Sequence, residues 1–194
     1  MGITPSGFDF LTSVMPHHPA DLPALRVLEL GNQHFHDANG GLMQRNGSHV
    51  AKMWFEANGI EHASIDLNGQ DGALPRDICS DLSDLGQFDI VTNFGSSEHV
   101  DDQEACFHAF HKLCKPDGLI VHSAPLVGHW KGHCRYRYSI TFFAMLAALN
   151  GDGMARQTHI DRECGEGRHL IHAAFRKHDD RDQFVFPASE LEEG

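Results

Sequence analysis

The fold of the chain is decided by Arg26-Val-Leu-Glu-Leu-Gly31, taken together with Phe88-Asp-Ile-Val-Thr-Asn-Phe94. Each stretch is a short apolar run that ends in polar or small residues, which is typical of strands buried on both faces of a parallel sheet. Ligands of open α/β sheets bind just past the carboxyl ends of such strands. Because Gly31, Asn93 and Gly95 occupy those positions, the sequence predicts a nucleotide-type pocket there.

Working outward, apolar runs that suit strands alternate with segments that suit helices, and this alternation favours βαβ units. The predicted strands are 25–30, 63–67, 74–78, 88–94 and 119–123, with a closing antiparallel pair at 154–160 and 170–176. The predicted helices are 49–57 after the N-cap Ser48, 102–113 and 142–149. The sequence therefore predicts an α/β, doubly wound, mainly parallel sheet with helices on both faces and a terminal antiparallel strand pair.

Length and composition favour one soluble domain over residues 1–194, since 41% of the 194 residues are hydrophobic and 22% are charged. Within it, residues 1–24 form a Pro-rich lead-in with a single amphipathic turn. Residues 31–47 are expected to be a loop, and residues 179–194 an acidic tail.

Charge and cysteine usage restrict the partners and the compartment. A net charge of −12 opposes binding to nucleic acid. The sequence has no apolar run of about 18 residues, so no membrane span is expected. Five cysteines without a Cys-x-x-Cys pair, and no signal-peptide pattern, favour reduced thiols and a cytoplasmic location. The oligomeric state is left open, and a homo-oligomer is compatible with the sequence.

Five segments in this order resemble the motifs of class I S-adenosylmethionine-dependent methyltransferases, over about residues 25 to 176. They are 27–31, 64–67, 88–100 with its Glu98-His99 sequel, 113–121 and 138–151. The resemblance implies a Rossmann-like fold, S-adenosyl-L-methionine as cofactor, and methyl transfer to a small-molecule acceptor at oxygen or nitrogen.

The resemblance also implies that cofactor contacts come from the strand ends. Asp66 is expected to bind the ribose hydroxyls, and Glu29 to meet the ammonium group. The adenine is expected to face Asp77 and Ile78, or else the pair Asp81 and Leu82, and both options remain open. The complete predicted cofactor set is Glu29, Gly31, Asn32, Gln33, Asp66, Leu67, Asp77, Ile78, Asn93 and Gly95.

The first loop departs from the family pattern. Gln33 stands where glycine is expected, and Asp66 lies 37 positions past Glu29, whereas a dinucleotide fingerprint places its ribose carboxylate about 20 residues on. The alternative hypothesis is therefore a non-catalytic, methyltransferase-like binding module or partner subunit with a degenerate cofactor loop. An open pocket at Gly31 would favour the enzyme, and one filled by Gln33 and Phe35 would favour the module.

The loop at 125–138, after the fifth strand, offers aromatic walls and polar groups for the acceptor. We predict Trp130, Arg135, Tyr136 and Tyr138 as substrate-binding residues. Histidine is the natural base near neutral pH, and the candidates are His129, His133 and His99, in that order.

Sixteen histidines raise a further alternative, a His-rich metal-binding protein. His129 and His133 lie four apart, but Gly128 and Gly132 disfavour a helix there, and no spacing matches a closed zinc site. We therefore predict no metal. A nicotinamide-dependent oxidoreductase is disfavoured because no Gly-x-Gly-x-x-Gly follows Leu30.

Overall fold

The computed structural model describes residues 2–16, 25–37, 40–162, 165–179 and 183–193, with the backbone alone at 157–159. In chain order the strands are β1 (Gly2–Ile3), β2 (Arg26–Leu30), β3 (His34–Phe35), β4 (Glu61–Ile65), β5 (Phe88–Phe94), β6 (Cys114–Pro125), β7 (Tyr136–Tyr138), β8 (Gly153–Asp161), β9 (Leu170–Arg176) and β10 (Leu191–Glu193). The helices are α1 (Pro5–Val14), α2 (Gly41–Asn46), α3 (Ala51–Ala57), α4 (Gln103–Leu113) and α5 (Phe142–Leu149).

Six strands form the central sheet in the order β4-β2-β5-β6-β9-β8. The first four are parallel, whereas β9 is antiparallel to both β6 and β8. The strand order reverses beside β2, so the carboxyl ends of β2, β4 and β5 meet at one edge. The predicted fold class is confirmed, including the closing antiparallel pair.

Alternation along the strands divides the core into two clusters, one on each face of the sheet. Leu28, Val91 and Ile120 pack with α4 and α5, while Val27 and Ile90 pack with α1, α2 and α3. The predicted helices on both faces are therefore present.

The lead-in contains a full helix, α1, where the sequence analysis expected one turn. Thr4 caps this helix by accepting a hydrogen bond from the Gly7 N–H at 3.1 Å, and Pro5 occupies its first turn. Proline is favoured there because the N–H groups of the first turn have no intrahelical acceptor, so the missing N–H of proline removes no helix hydrogen bond. The remainder of the predicted lead-in, 17–24, lies outside the described residues.

The predicted loop 31–47 is also wrong in part, because it contains β3 and α2. Strand β3 pairs in parallel with β1, and Asp37 accepts the Leu42 N–H at the start of α2. Conversely, the predicted strand 74–78 is reduced to one bridge between Leu74 and Ile65, since Pro75 follows at once and has no N–H to donate.

Smaller differences affect the element boundaries and the tail. Strand β4 ends at Ile65 rather than at residue 67, so Asp66 and Leu67 follow it. The acidic tail is structured at 183–193, where β10 pairs antiparallel with β7. None of the helices in the described ranges has the length and apolar character needed to cross a membrane.

Phe107 should be a major contributor to stability, because its buried ring contacts aromatic rings of α4, β6, β7, α5 and the segment 183–193. These are Phe110, His122, Tyr138, Phe142, Phe143 and Phe186, at centroid distances of 5.2–6.3 Å. We expect Phe107→Ala to lower the free energy of unfolding by about 3–5 kcal/mol in urea titrations. Met43→Ala, at an exposed position, should change it by less than about 0.5 kcal/mol. Equal effects would contradict this assignment.

Candidate active site

Asp66 joins the ends of β2 and β4. One carboxylate oxygen accepts the Asn32 N–H at 2.9 Å, and the other accepts the Asn68 N–H at 3.0 Å. The Gly31 N–H, in a left-handed conformation with φ +82°, donates to the Ile65 carbonyl at 2.8 Å. The half-buried carboxylate therefore shapes both loops at the sheet edge where ligands of this architecture bind.

Gln33 fills the space beside Gly31. Its buried Nε2 donates to the Leu30 carbonyl at 2.6 Å and to Ser96 Oγ at 2.9 Å. A side chain at Gly31 would clash with both Ser96 and Gln33. The Gln33 Oε1 atom is buried and has no hydrogen-bond partner among the described residues. Phe35, which the sequence analysis named with Gln33 as a residue that would fill the pocket of a binding module, packs against Phe8, with the ring centroids 5.3 Å apart.

The solvent-facing edge of this site carries the polar residues Asn32, His34 and Asp71 and the exposed apolar residue Leu67. Asn32 Nδ2 donates to Asp71 at 2.6 Å, and His34 Nε2 lies 3.2 Å from the same carboxylate oxygen. These two contacts lower the pKa of Asp71. Leu67, directly after Asp66, is 75% exposed. An exposed leucine beside a carboxylate presents an apolar surface next to a polar group.

The two candidate adenine pairs are placed alike. Asp77 and Asp81 are exposed and cap their own turns through the N–H groups of Cys79 and Ser83. Ile78 and Leu82 are both buried in the same core cluster. The structure gives no reason to prefer one pair, and both predictions stay open.

Glu29 has a partner that the sequence did not reveal. Its Oε2 lies 2.9 Å from His62 Nε2 on the neighbouring strand β4, and the His62 ring stacks on Phe55. Burial raises the pKa of Glu29, and His62 opposes that shift. The Oε1 atom is buried without a partner among the described residues, so the carboxylate is only half satisfied.

Asn93 organises the turn after β5. Its side-chain oxygen accepts the Ser97 N–H at 3.0 Å, and its Nδ2 donates to Ser97 Oγ at 2.8 Å and to His122 Nδ1 at 3.2 Å. Burial lowers the pKa of His122 to about 3, which keeps this ring neutral. Gly95 follows with φ +73° and donates its N–H to the Ser123 carbonyl. Asn93 is thus fully buried and positions Ser97 within the turn.

The prediction that Tyr138 binds substrate is corrected by the position of its hydroxyl, which is buried and already hydrogen-bonded within the protein. Its hydroxyl lies 2.8 Å from Ser97 Oγ and donates to Gln103 Oε1 at 2.8 Å, while its ring lies against Phe142 and Phe143. Alternation along β7 directs Tyr138 into the core, which the residue type alone does not reveal. Tyr138 therefore supports the turn that carries Ser97.

His99, His133 and Trp130 come together beyond this turn. The ring centroids are 5.6 Å apart for His99 and His133 and 5.2 Å apart for Trp130 and His133. Burial, and then the neighbouring His133, lower the pKa of His99. Two of the three predicted bases, His99 and His133, therefore lie close together and next to Trp130, a predicted substrate-binding residue.

His129, the third predicted base, stacks instead on His169 at 3.9 Å. Burial, and then His169, lower its pKa. The sequence analysis missed His169, whose carbonyl also accepts the Trp130 Nε1–H at 2.9 Å. His169 is far from His129 and Trp130 in the sequence, and no sequence pattern indicated these contacts.

Arg135 and Tyr136 are anchored to other parts of the chain. Arg135 pairs with Asp101 and, at 3.2 Å, with Glu193. The Tyr136 hydroxyl donates to the Asp101 carbonyl at 3.1 Å. The Arg135 charge is thus already balanced, which weakens its predicted role toward an anionic acceptor.

Glu98, the first residue of the predicted Glu98-His99 sequel, has unusual surroundings. It lies in the turn Ser97–His99, is buried, and has an Oε2 without a partner among the described residues. Burial raises its pKa to about 8. His99 Nε2 is 3.9 Å from its Oε1, and Cys106, Cys134 and Tyr138 also interact with it electrostatically.

A model of a known family, described as a methyltransferase domain, matches residues 17–173. The chain belongs to this methyltransferase family. The predicted enzyme class, an S-adenosylmethionine-dependent methyltransferase of the class I fold, is confirmed, and with it the predicted cofactor. No curated protein gives a significant match to this methyltransferase. Among its described residues, no group of three or more His, Cys, Asp or Glu is placed to hold a metal ion.

Solved methyltransferase structures share the fold at low sequence identity. The 1,6-didemethyltoxoflavin-N1-methyltransferase of Burkholderia thailandensis, with its substrate and S-adenosylhomocysteine bound, is 18% identical (TM-score 0.53) over 90% of this chain and 83% of that one. The N-methyltransferase NodS of Bradyrhizobium japonicum is 14% identical, with a TM-score of 0.54, and the match covers 91% of this chain and 89% of that one. A TehB-like methyltransferase of Corynebacterium glutamicum is 16% identical, with a TM-score of 0.54, and the match covers 87% of this chain and 85% of that one.

Removing the Tyr138 hydroxyl should destabilise the methyltransferase. Tyr138→Phe removes the buried hydrogen bonds to Ser97 Oγ and Gln103 Oε1, which costs about 1–3 kcal/mol of unfolding free energy. Tyr136→Phe removes a hydroxyl whose partner lies at the exposed Asp101, so we expect a loss below about 0.5 kcal/mol. Urea titrations compare the two variants. A loss for Tyr138→Phe no larger than for Tyr136→Phe would show that the network contributes nothing.

Glu98 should make stability depend on pH. The folded protein holds a proton on Glu98 up to about pH 8, whereas the unfolded chain releases it near 4.5. The free energy of unfolding should therefore fall as pH rises between these values. Glu98→Gln cannot titrate. In urea titrations from pH 5 to 8.5, the free energy of unfolding of the variant should therefore rise steadily relative to that of the wild type. The exposed control Glu104→Gln should follow the wild type. Parallel curves for Glu98→Gln and wild type would rule out the buried proton.

Proposed function

We propose that this methyltransferase transfers the methyl group of S-adenosyl-L-methionine to a small-molecule acceptor, at oxygen or nitrogen. The observation that carries the proposal is the meeting of Asp66, the Gly31 loop and the turn after β5 at one edge of the sheet. Asp66 binds the Asn32 N–H, and Ser96 of the turn binds Gln33 and Leu30. One ligand lying along this edge would touch all three strand ends.

The residues at this edge suit the chemical groups of the cofactor. The Asp66 carboxylate has oxygens that can accept ribose hydroxyls in addition to its two backbone donors. The exposed Leu67 offers an apolar surface beside it for a base. The buried Gln33 Oε1 lacks a donor among the described residues, and the cofactor's α-ammonium group, which the sequence analysis assigned to Glu29, would supply one. The Gln33 side chain would therefore take part in cofactor binding at a position where the family pattern has glycine.

The acceptor side is formed by His99, His133 and Trp130. Bound S-adenosyl-L-methionine supplies an electrophilic methyl group, so the protein's tasks are to hold the acceptor in line and to receive its proton. His99 is suited to receive a proton because its lowered pKa leaves the ring neutral at physiological pH. His133, at 5.6 Å, is the second candidate, whereas the stacked His129 is now the weakest.

Relatives of the same fold support a small acceptor. The Burkholderia thailandensis enzyme binds 1,6-didemethyltoxoflavin, and both it and NodS bind S-adenosylhomocysteine. The net charge of −12 also opposes a nucleic-acid acceptor.

Calorimetric titration with S-adenosylmethionine and S-adenosylhomocysteine tests the proposal. We expect saturable binding to wild type and at least tenfold weaker binding to Asp66→Ala, which loses both the ribose acceptor and the bond to Asn32. Asp9→Ala removes an exposed carboxylate on α1 and should bind within twofold of wild type. Thermal melts confirm that each variant is folded.

Failure of the wild type to bind either compound would overturn the proposal. It would favour the binding module with a degenerate cofactor loop, because Gln33 fills the space beside Gly31. Equal affinities for Asp66→Ala and Asp9→Ala would place the cofactor away from β4.

A further inference from the structure

Glu98 combines full burial with an unfilled hydrogen-bonding capacity. A buried carboxyl without partners costs free energy, and native proteins satisfy nearly all such groups. Its Oε2 has no partner among the described residues, although the neighbouring Ser97 and Asn93 side chains are hydrogen-bonded. A polar atom that is left unsatisfied inside a functional region needs a partner, which a bound ligand can supply.

The position of Glu98 connects the cofactor side with the acceptor side. Two residues earlier, Ser96 binds Gln33 of the predicted cofactor loop. The Glu98 carbonyl accepts the Arg135 N–H at 3.2 Å, and Cys134 lies close enough to interact with the carboxyl. The group therefore lies between the loop predicted to hold the cofactor and the loop predicted to hold the acceptor.

An aromatic surface adjoins this carboxyl. His99 approaches it to 3.9 Å, and the rings of His99, His133 and Trp130 follow one another at centroid distances of 5.6 and 5.2 Å. Such rings bind planar groups by stacking or edge contacts. The nearby Arg135 is paired with Asp101 and Glu193, whereas the Arg168 guanidinium lies over the Trp130 ring, 5.9 Å from its centroid.

We propose that Glu98 accepts a hydrogen bond from an N–H or O–H group of the methyl acceptor, and that this acceptor is a planar ring bound against His99, His133 and Trp130. The inference rests on the proposed function, because it names the acceptor class of that same site. It assigns Glu98 as a specificity-determining residue, which favours rings that carry a donor over rings of the same shape that lack one.

Three probes with the same ring system test the proposal by calorimetry: 6-hydroxyquinoline, 6-aminoquinoline and quinoline, with 6-methylquinoline as the control for the size of the substituent. We expect wild type to bind at least one donor-bearing probe tenfold more tightly than quinoline. The hydroxyl and amine arms separate an O–H acceptor from an N–H acceptor. Trp130→Ala should weaken all probes alike and keep their ratio.

Glu98→Met, of similar volume, should reduce the preference to less than threefold. It should also melt no lower than wild type, since replacing a half-satisfied buried carboxyl with an apolar group is neutral or stabilising. Glu98→Gln keeps a carbonyl acceptor and should retain part of the preference. Glu104→Gln, on the exposed side of α4, should behave as wild type.

A pH series distinguishes a ligand contact from a structural role. Between pH 7 and 9 the preference for 6-aminoquinoline over quinoline should grow in wild type, because an ionised carboxylate accepts stronger hydrogen bonds. In Glu98→Gln it should stay constant. The groups around the carboxyl, His99, Cys106, Cys134 and Tyr138, are unchanged in this comparison.

Equal binding of the three probes to wild type, no binding of any probe, or a full preference in Glu98→Met would overturn the inference. Titrations with S-adenosylhomocysteine on the same samples keep the two proposals separate. A donor preference without S-adenosylhomocysteine binding would reject the proposed function alone, and the reverse would reject the role of Glu98 alone.

Discussion

At the end of the central strand, the amide of Asn93 binds both the backbone and the hydroxyl of Ser97, and it also holds His122 of β6. Ser97 in turn contacts the hydroxyl of Tyr138 on β7. Because every member of this network is buried, no water replaces a bond that is lost, and the turn after β5 is strongly restricted. The contacts of Ser96 with the cofactor loop and the burial of Glu98 both depend on that restriction.

The loop after β2 is built by side chains where the family pattern uses glycine. Gln33 bonds to the Leu30 carbonyl and to Ser96, while Asp66 holds the Asn32 N–H. This arrangement gives the loop a defined shape before any ligand binds, at the cost of free space beside Gly31. A pre-organised loop loses less conformational entropy on binding, so the substitution at Gln33 is compatible with a working site.

The acidic tail has a structural use that composition alone does not suggest. Glu192 pairs with the buried Arg137 at 2.8 Å and Glu193 with Arg135, while β10 extends β7. These contacts hold the end of the acceptor loop and neutralise its arginines. With Arg135 and Arg137 paired in this way, the rings of His99, His133 and Trp130 can contact a planar small molecule, and the Arg168 guanidinium lies over the Trp130 ring.

By itself, the sequence determined the parallel sheet, its closing antiparallel pair and the edge that carries Gly31, Asp66 and Asn93, because buried strands and their end residues leave a local pattern. It missed α1, β3 and α2, whose short apolar segments have weak periodicity. Only the tertiary structure decided that Tyr138 is buried, that His129 meets His169, and that Glu98 has no partner for its Oε2 among the described residues. These properties depend on contacts between residues far apart in the chain, and residue type and spacing do not specify such contacts.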